Sequence, residues 1–125
     1  IGDFDILAHL TCPLRYVVGR SGKKADIAKY DGIITEILKE IIKKGIALEL
    51  NTSSLSLALG DFVPSTDILV KYRELGGYLI TLGSDAHILT EASANFERAK
   101  KHLKALGFEN VFYYKSRRAY QCKLV

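Results

Sequence analysis

"YDGIITEILKEIIKKGIALELNTSS", residues 30–54, decides the fold. Ile33, Ile34, Ile37, Leu38, Ile41 and Ile42 recur at helical spacing and predict one apolar face. Lys43 and Lys44 suit the negative C-terminal end of the helix dipole, and Gly45 is a stop. Directly behind that stop, "IALELNTSS", residues 46–54, reads as a strand. A helix running through one glycine into a strand is half of a β-α-β unit, so the flanking segments should also be strands.

Upstream, "FDILAHL", residues 4–10, reads as a short buried strand. It is followed by "CPLRYVVGRSGKKAD", residues 12–26, a loop with turn signals at Pro13, Gly19 and Gly22. Downstream, "PSTDILVKYRELGG", residues 64–77, predicts a helix with Ser65 or Thr66 as N-cap and Gly76 as its stop. "YLITLGSDAH", residues 78–87, is the third strand. "TEASANFERAKKHLKALG", residues 90–107, is a third helix with Phe96, Ala99, Leu103 and Leu106 on its apolar face. The ending, "FENVFYYKSRRAYQCKLV", residues 108–125, suggests a strand, a basic turn and a second strand. This alternation is the pattern of an α/β fold with a parallel sheet, in which ligands collect at the C-terminal ends of the strands.

Composition narrows the classes. A chain of 125 residues with 48% apolar content suits one domain with a buried core. It has no apolar run of the ~20 residues that a membrane span needs, and its start lacks a basic head and cleavage site, so a cytoplasmic location is expected. Cys12 and Cys122 have no CxxC spacing and read as ordinary thiols. The net charge of +4 is weighted toward "YYKSRRAYQCK", which solvated residues at a sheet end explain better than a nucleic-acid surface does; a small anionic substrate also suits it. The chain opens on Ile and enters a strand almost at once, as a portion of a longer protein would.

The polar residues gather at the strand ends: His9 on the first, Glu49, Asn51 and Thr52 on the second, Ser84, Asp85 and His87 on the third. If the third strand continues that far, Asp85 and His87, two residues apart, point to one side and can converge on a metal. The alternatives are a capping Asp85 with a loop His87, and a hydrogen-bonded core His9. Imidazole and carboxylate without thiolate suit Zn, Mn or Fe in a catalytic site. Arg15 offers parallel donors to a phosphate, or else is a surface loop residue. Glu49 reads equally as a site carboxylate or a paired interior one, and Asn51 as a site amide or a turn former. His102 lies among Lys100, Lys101 and Lys104 and reads as surface.

Taken jointly, "DFDILAHLTCPLRYV", "LELNTSSL", "ITLGSDAH" and "LKALGFENVFYYKSRR" resemble the C-terminal half of a histidinol-phosphatase of the PHP (polymerase and histidinol phosphatase) family. The resemblance covers nearly the whole chain, so residues 1–125 are expected to be the C-terminal part of a single PHP domain, a distorted seven-stranded, TIM-like β/α barrel. It implies that His9, Asp85 and His87 ligate metal in a multinuclear cluster, that Asp85 and His87 are catalytic, and that Arg15 faces the substrate phosphate, with Asn51 a further substrate contact. The implied reaction is hydrolysis of L-histidinol phosphate in histidine biosynthesis. A PHP phosphoesterase for another phosphate ester or nucleotide, or a non-catalytic α/β binding module, are the alternatives.

Two departures from the family pattern stand out. Where relatives often continue "NTSGLR", this chain has "NTSSLS", without the arginine. The family's His-x-His motif occurs nowhere in the 125 residues. Alone, the chain is therefore expected to be inactive, and its open sheet edges to pair with another copy or with the missing half.

Overall fold

The structure is a computed structural model that describes residues 3–57 and 59–125. Three strands, β1 (Ile6–Leu7), β2 (Ala47–Asn51) and β3 (Ile80–Gly83), form a parallel sheet in sequence order. Leu7 lies opposite Leu48, Leu48 opposite Ile80, and Leu50 opposite Leu82. Register therefore turns these leucines and Ile80 to one face. Right-handed crossovers that step the same way along a sheet place their helices on a common face, and this apolar one receives them. Helices α2 (Asp31–Lys44), α3 (Thr66–Glu74) and α4 (Phe96–Ala105) supply the other half of the core: Ile34, Leu38 and Ile41, then Ile68, Leu69 and Tyr72, then Ala99 and Leu103.

The decisive stretch behaves largely as its pattern predicts. Gly45 adopts φ 66°, and its N–H donates to the carbonyls of Ile41 and Ile42 before the chain enters β2. A non-glycine residue rarely takes this left-handed geometry, which explains the position of the stop. The apolar face is narrower than expected, however: Ile34, Leu38 and Ile41 are buried while Ile33 is 62% exposed. At about 100° per residue, Ile33 lies too far round the helix from Ile34 to reach the sheet.

Several boundaries differ from the sequence expectation. The first strand is two residues long and half-buried rather than a buried run over 4–10, because the chain turns at His9, φ 59°. The expected loop over 12–26 contains a helix, α1 (Pro13–Val17), whose first residue is a proline preset for that position. The third helix begins at Phe96, not at residue 90, after a 3-10 turn over Leu89–Glu91. Ser93 and Asn95 both have positive φ and break any earlier helical start.

The C-terminal segment forms the expected hairpin, β4 (Asn110–Lys115) and β5 (Arg118–Lys123). Ser116 and Arg117 carry φ 48° and 64°, the sign pattern of a two-residue type I′ turn. Arg117 bonds Asp3 at 2.7 Å and Asp5 at 3.1 Å, just ahead of β1. Phe112 meets Tyr78, just ahead of β3, edge to face at 6.0 Å. The hairpin thus crosses the end of the sheet where the strands begin, and the opposite end is left for a site. No helix among the described residues is long and apolar enough to cross a membrane.

Candidate active site

The C-terminal ends of the three strands carry the polar residues singled out above. After β1 the backbone turns sharply: His9 and Thr11 both have positive φ, 59° and 67°. The Cys12 N–H donates to the His9 carbonyl at 2.8 Å and that of Leu14 to the Thr11 carbonyl at 3.0 Å, which starts α1. This helix aims Arg15 across to the segment after β3, where its Nη1 donates to Asp85 Oδ2 in an ion pair. The pair holds the Asp85 carboxyl below its usual range, burial opposing it and the neighbouring charges of His9 and His87 adding to it. Asp85 in return raises the Arg15 guanidinium further above its ordinary value.

Glu49 makes the second link. Its Oε2 accepts the His9 backbone N–H at 3.1 Å and lies 3.7 Å from His9 Nδ1. The Glu49 side chain has room because β3 carries Gly83 beside it: a Cβ at that position would lie 2.0 Å from Glu49 Oε1. A glycine inside a strand often marks such a close approach, and that was the available sequence signal for Gly83.

Asp85 and His87 do not share a strand face, since β3 ends at Gly83 and Asp85 has φ 50°. They come to the site as loop residues. Asn51 is 2% exposed. Its Oδ1 accepts from the Ser53 N–H at 3.0 Å and the Ser53 hydroxyl at 2.5 Å, the local turn bond expected of an Asx residue, while its Nδ2 has no partner. Among the described residues the buried side-chain polar atoms without a partner are Thr11 Oγ1, Arg15 Nε and Asn51 Nδ2. All follow or end β1 or β2. Buried polar groups are normally satisfied, so these three atoms at one end of the sheet are left to bond water or a polar ligand. Thr11 carried no sequence signal of its own, because its strain exists only in the folded backbone.

The donors suit a first-row divalent ion in kind, nitrogen and oxygen without thiolate. In number they fall short: among the described residues no three His, Cys, Asp or Glu side chains group closely enough to hold a metal. Asp85 Oδ1 carries no hydrogen bond among the described residues, so one carboxylate oxygen remains available beside the one that Arg15 holds. His102, in contrast, is a packing residue rather than the surface one its lysine neighbours suggested: its ring stacks on Phe62 at 4.8 Å and its Nε2 meets the Thr66 hydroxyl at 3.0 Å.

No family model matches the chain. A protein named "Probable histidinol-phosphatase" from Thermotoga maritima is 37% identical over 106 residues, 85% of this chain and 42% of its own length. Another of that name from Clostridium acetobutylicum is 33% identical over 113 residues, 89% of this chain and 43% of its own. The chain is a partial-length homologue of the histidinol-phosphatases. A protein named "Histidinol-phosphatase" from Lactococcus lactis adds 30% identity over 109 residues, 87% of this chain and 40% of its own length. This histidinol-phosphatase relative thus spans about two fifths of the length of the curated proteins it matches.

Proposed function

We propose that residues 1–125 are the C-terminal part of one PHP domain, a distorted seven-stranded β/α barrel, in a metal-dependent phosphomonoesterase that hydrolyses L-histidinol phosphate to L-histidinol and phosphate. The observation that carries this reading is Arg15. Its guanidinium is brought to the C-terminal end of the sheet, tied at Nη1 to Asp85, and left with a buried Nε that has no partner among the described residues. A buried cationic donor with nothing to bond, in a chain whose relatives are named for a phosphate ester, is what a phosphate clamp requires. The substrate comes from the names of those relatives.

In this reading His9, Asp85 and His87 ligate divalent ions, Mn, Zn or Fe, and the rest of a multinuclear ligand set comes from beyond this chain. Bound ions would supply a deprotonated water near neutral pH and charge on the phosphoryl oxygens. The chain's own part is to hold and orient. Glu49 bonds the His9 backbone and lies beside the ring, fixing where the imidazole stands. Arg15 binds the phosphoryl oxygens, and Asn51 Nδ2 donates to one of them or to the substrate alcohol. By itself the chain is inactive, and its free edges pair with the remaining part of the domain or with a second copy.

The test is phosphate release from L-histidinol phosphate with added Mn²⁺, by the longest polypeptide that carries this sequence and by its His87→Ala variant. Release by the first and not the second supports the reading. A folded, metal-bearing protein that releases nothing above buffer overturns the substrate and leaves another phosphate ester, nucleotides included, as the next to try.

A further inference from the structure

Arginine is held here by one end of its fork. Nη1 donates to Asp85 Oδ2, Nε is buried without a partner, and Nη2 has none among the described residues. Nε–H and the outer hydrogen of Nη2 are the parallel pair with which a guanidinium grips two oxygens of one oxyanion side-on. The same side-on edge is in use elsewhere in this chain: Arg73 places Nε and Nη2 on the Gly107 carbonyl at 3.2 and 3.1 Å, and Arg117 places both on Asp5. At Arg15 that edge makes no hydrogen bond among the described residues, and it is in part desolvated, with the side chain 16% exposed.

We propose that Asp85 is a positioning residue for Arg15: by taking Nη1 it fixes the guanidinium plane so that the Nε–Nη2 edge is presented to a phosphomonoester dianion. The inference rests on Arg15 as the phosphate clamp, and it gives Asp85 a task separate from metal ligation. One carboxylate oxygen anchors the arginine while Oδ1 stays open, so one side chain joins the two halves of the site. A flexible arginine must give up side-chain freedom when it binds, and an anchored one has already done so, which favours the anion. The proposal makes a prediction opposite to that of charge alone. Removing a carboxylate beside an anion site should strengthen anion binding by Coulomb's law, whereas removing an anchor should weaken it.

The experiment is a titration of inorganic phosphate into chelator-treated protein, the longest polypeptide that carries this sequence, followed by calorimetry and by ³¹P line width, with circular dichroism to verify folding. Wild type, Arg15→Gln, Arg15→Lys, Asp85→Ala and Asp85→Asn are compared without metal, so that ligation by Asp85 plays no part. Asp85→Ala is expected to weaken phosphate binding by about fivefold. Asp85→Asn should restore it, because the amide oxygen still accepts from Nη1. Arg15→Lys should fall with Arg15→Gln, since an ammonium has no side-on edge. If Asp85→Ala binds phosphate as tightly as wild type or more tightly, the positioning role is overturned while the clamp stands. If wild type binds no phosphate that Arg15→Gln loses, the clamp itself fails and the positioning role with it.

Discussion

Gly83 lies under the carboxylate of Glu49, and a Cβ added there would meet Oε1 at 2.0 Å. Gly83 occupies the last position of β3, opposite Asn51, and Glu49 opposes Thr81 in the same ladder. The hydrogen of glycine is therefore what lets Glu49 lean across to the His9 N–H. Gly83→Ala should push Glu49 aside, at a cost of about 1–3 kcal/mol typical of overpacking. In the longest polypeptide that carries this sequence, the expected outcome is a folded protein with a lower melting temperature and impaired phosphate release, read by thermal denaturation and by the L-histidinol phosphate assay. An alanine variant as active as wild type would show that the placing of His9 does not depend on Glu49.

Tyr72 supplies a pH dependence. Its side chain is 1% exposed and its hydroxyl donates to the Leu79 carbonyl at 3.0 Å. Burial pushes the phenol well above its ordinary value. The folded value being raised, the stabilisation is complete below the unfolded pKa near 10 and is lost as pH rises above it. Urea unfolding at pH 9, 10 and 11 should show wild-type stability falling above pH 10 with a limiting slope near 1.4 kcal/mol per unit from this group, beyond any slope that the Tyr72→Phe variant retains. Tyr72→Phe removes that slope and costs about 1 kcal/mol at neutral pH through the lost hydrogen bond. Parallel slopes in the two proteins would mean that Tyr72 ionises as readily folded as unfolded.

His102 pins α4 to the start of α3. Its ring stacks on Phe62 and its Nε2 meets the hydroxyl of Thr66, the first residue of α3. His102→Ala should cost about 1–3 kcal/mol, from the stack and the bond together, with the activity of the remaining folded protein unchanged. Denaturant midpoints and initial rates measured on one preparation separate the two effects. A variant of wild-type stability would return His102 to the surface.

In the longest polypeptide that carries this sequence, metal removal should stop the proposed phosphate release and spare the fold. The buried core lies between the sheet and the helices, where Leu38, Leu48, Leu69, Ile80 and Leu103 are 0% exposed, and the proposed ligands lie at the strand ends outside it. Chelator treatment is thus expected to abolish phosphate release, reversibly on return of Mn²⁺, with the far-ultraviolet dichroism unchanged. Retention of activity after exhaustive chelation would sink the metal-dependent reading. By comparison, Leu48→Ala should lower stability by about 2–5 kcal/mol, which a urea titration of the metal-free protein would show.

What the sequence by itself determined about this protein is what repeats at short range. The helix over Asp31–Lys44 follows from isoleucines at helical spacing and a glycine that adopts φ 66° without steric cost, and the hairpin from two β-rich runs flanking a two-residue turn. The order strand, helix, strand, helix, strand also places His9, Asn51 and Asp85 at one end of a parallel sheet before any contact is known. Tertiary structure decided the rest. The helix Pro13–Val17 is too short for its own periodicity to announce it, and Arg15 ties it to a residue 70 positions away. Asp85 and His87 stand two residues apart, a spacing that suggested a strand pleat, yet the chain turns at φ 50° and delivers them from a loop. His102 looked solvated among lysines because its partners, Phe62 and Thr66, are 40 and 36 residues distant. Local propensity acts over a few residues through backbone sterics, whereas the partner of a buried charge or ring is chosen only when distant segments pack. The longer elements were therefore legible in the sequence, and the helix Pro13–Val17 and the pairing of Arg15 with Asp85 were not.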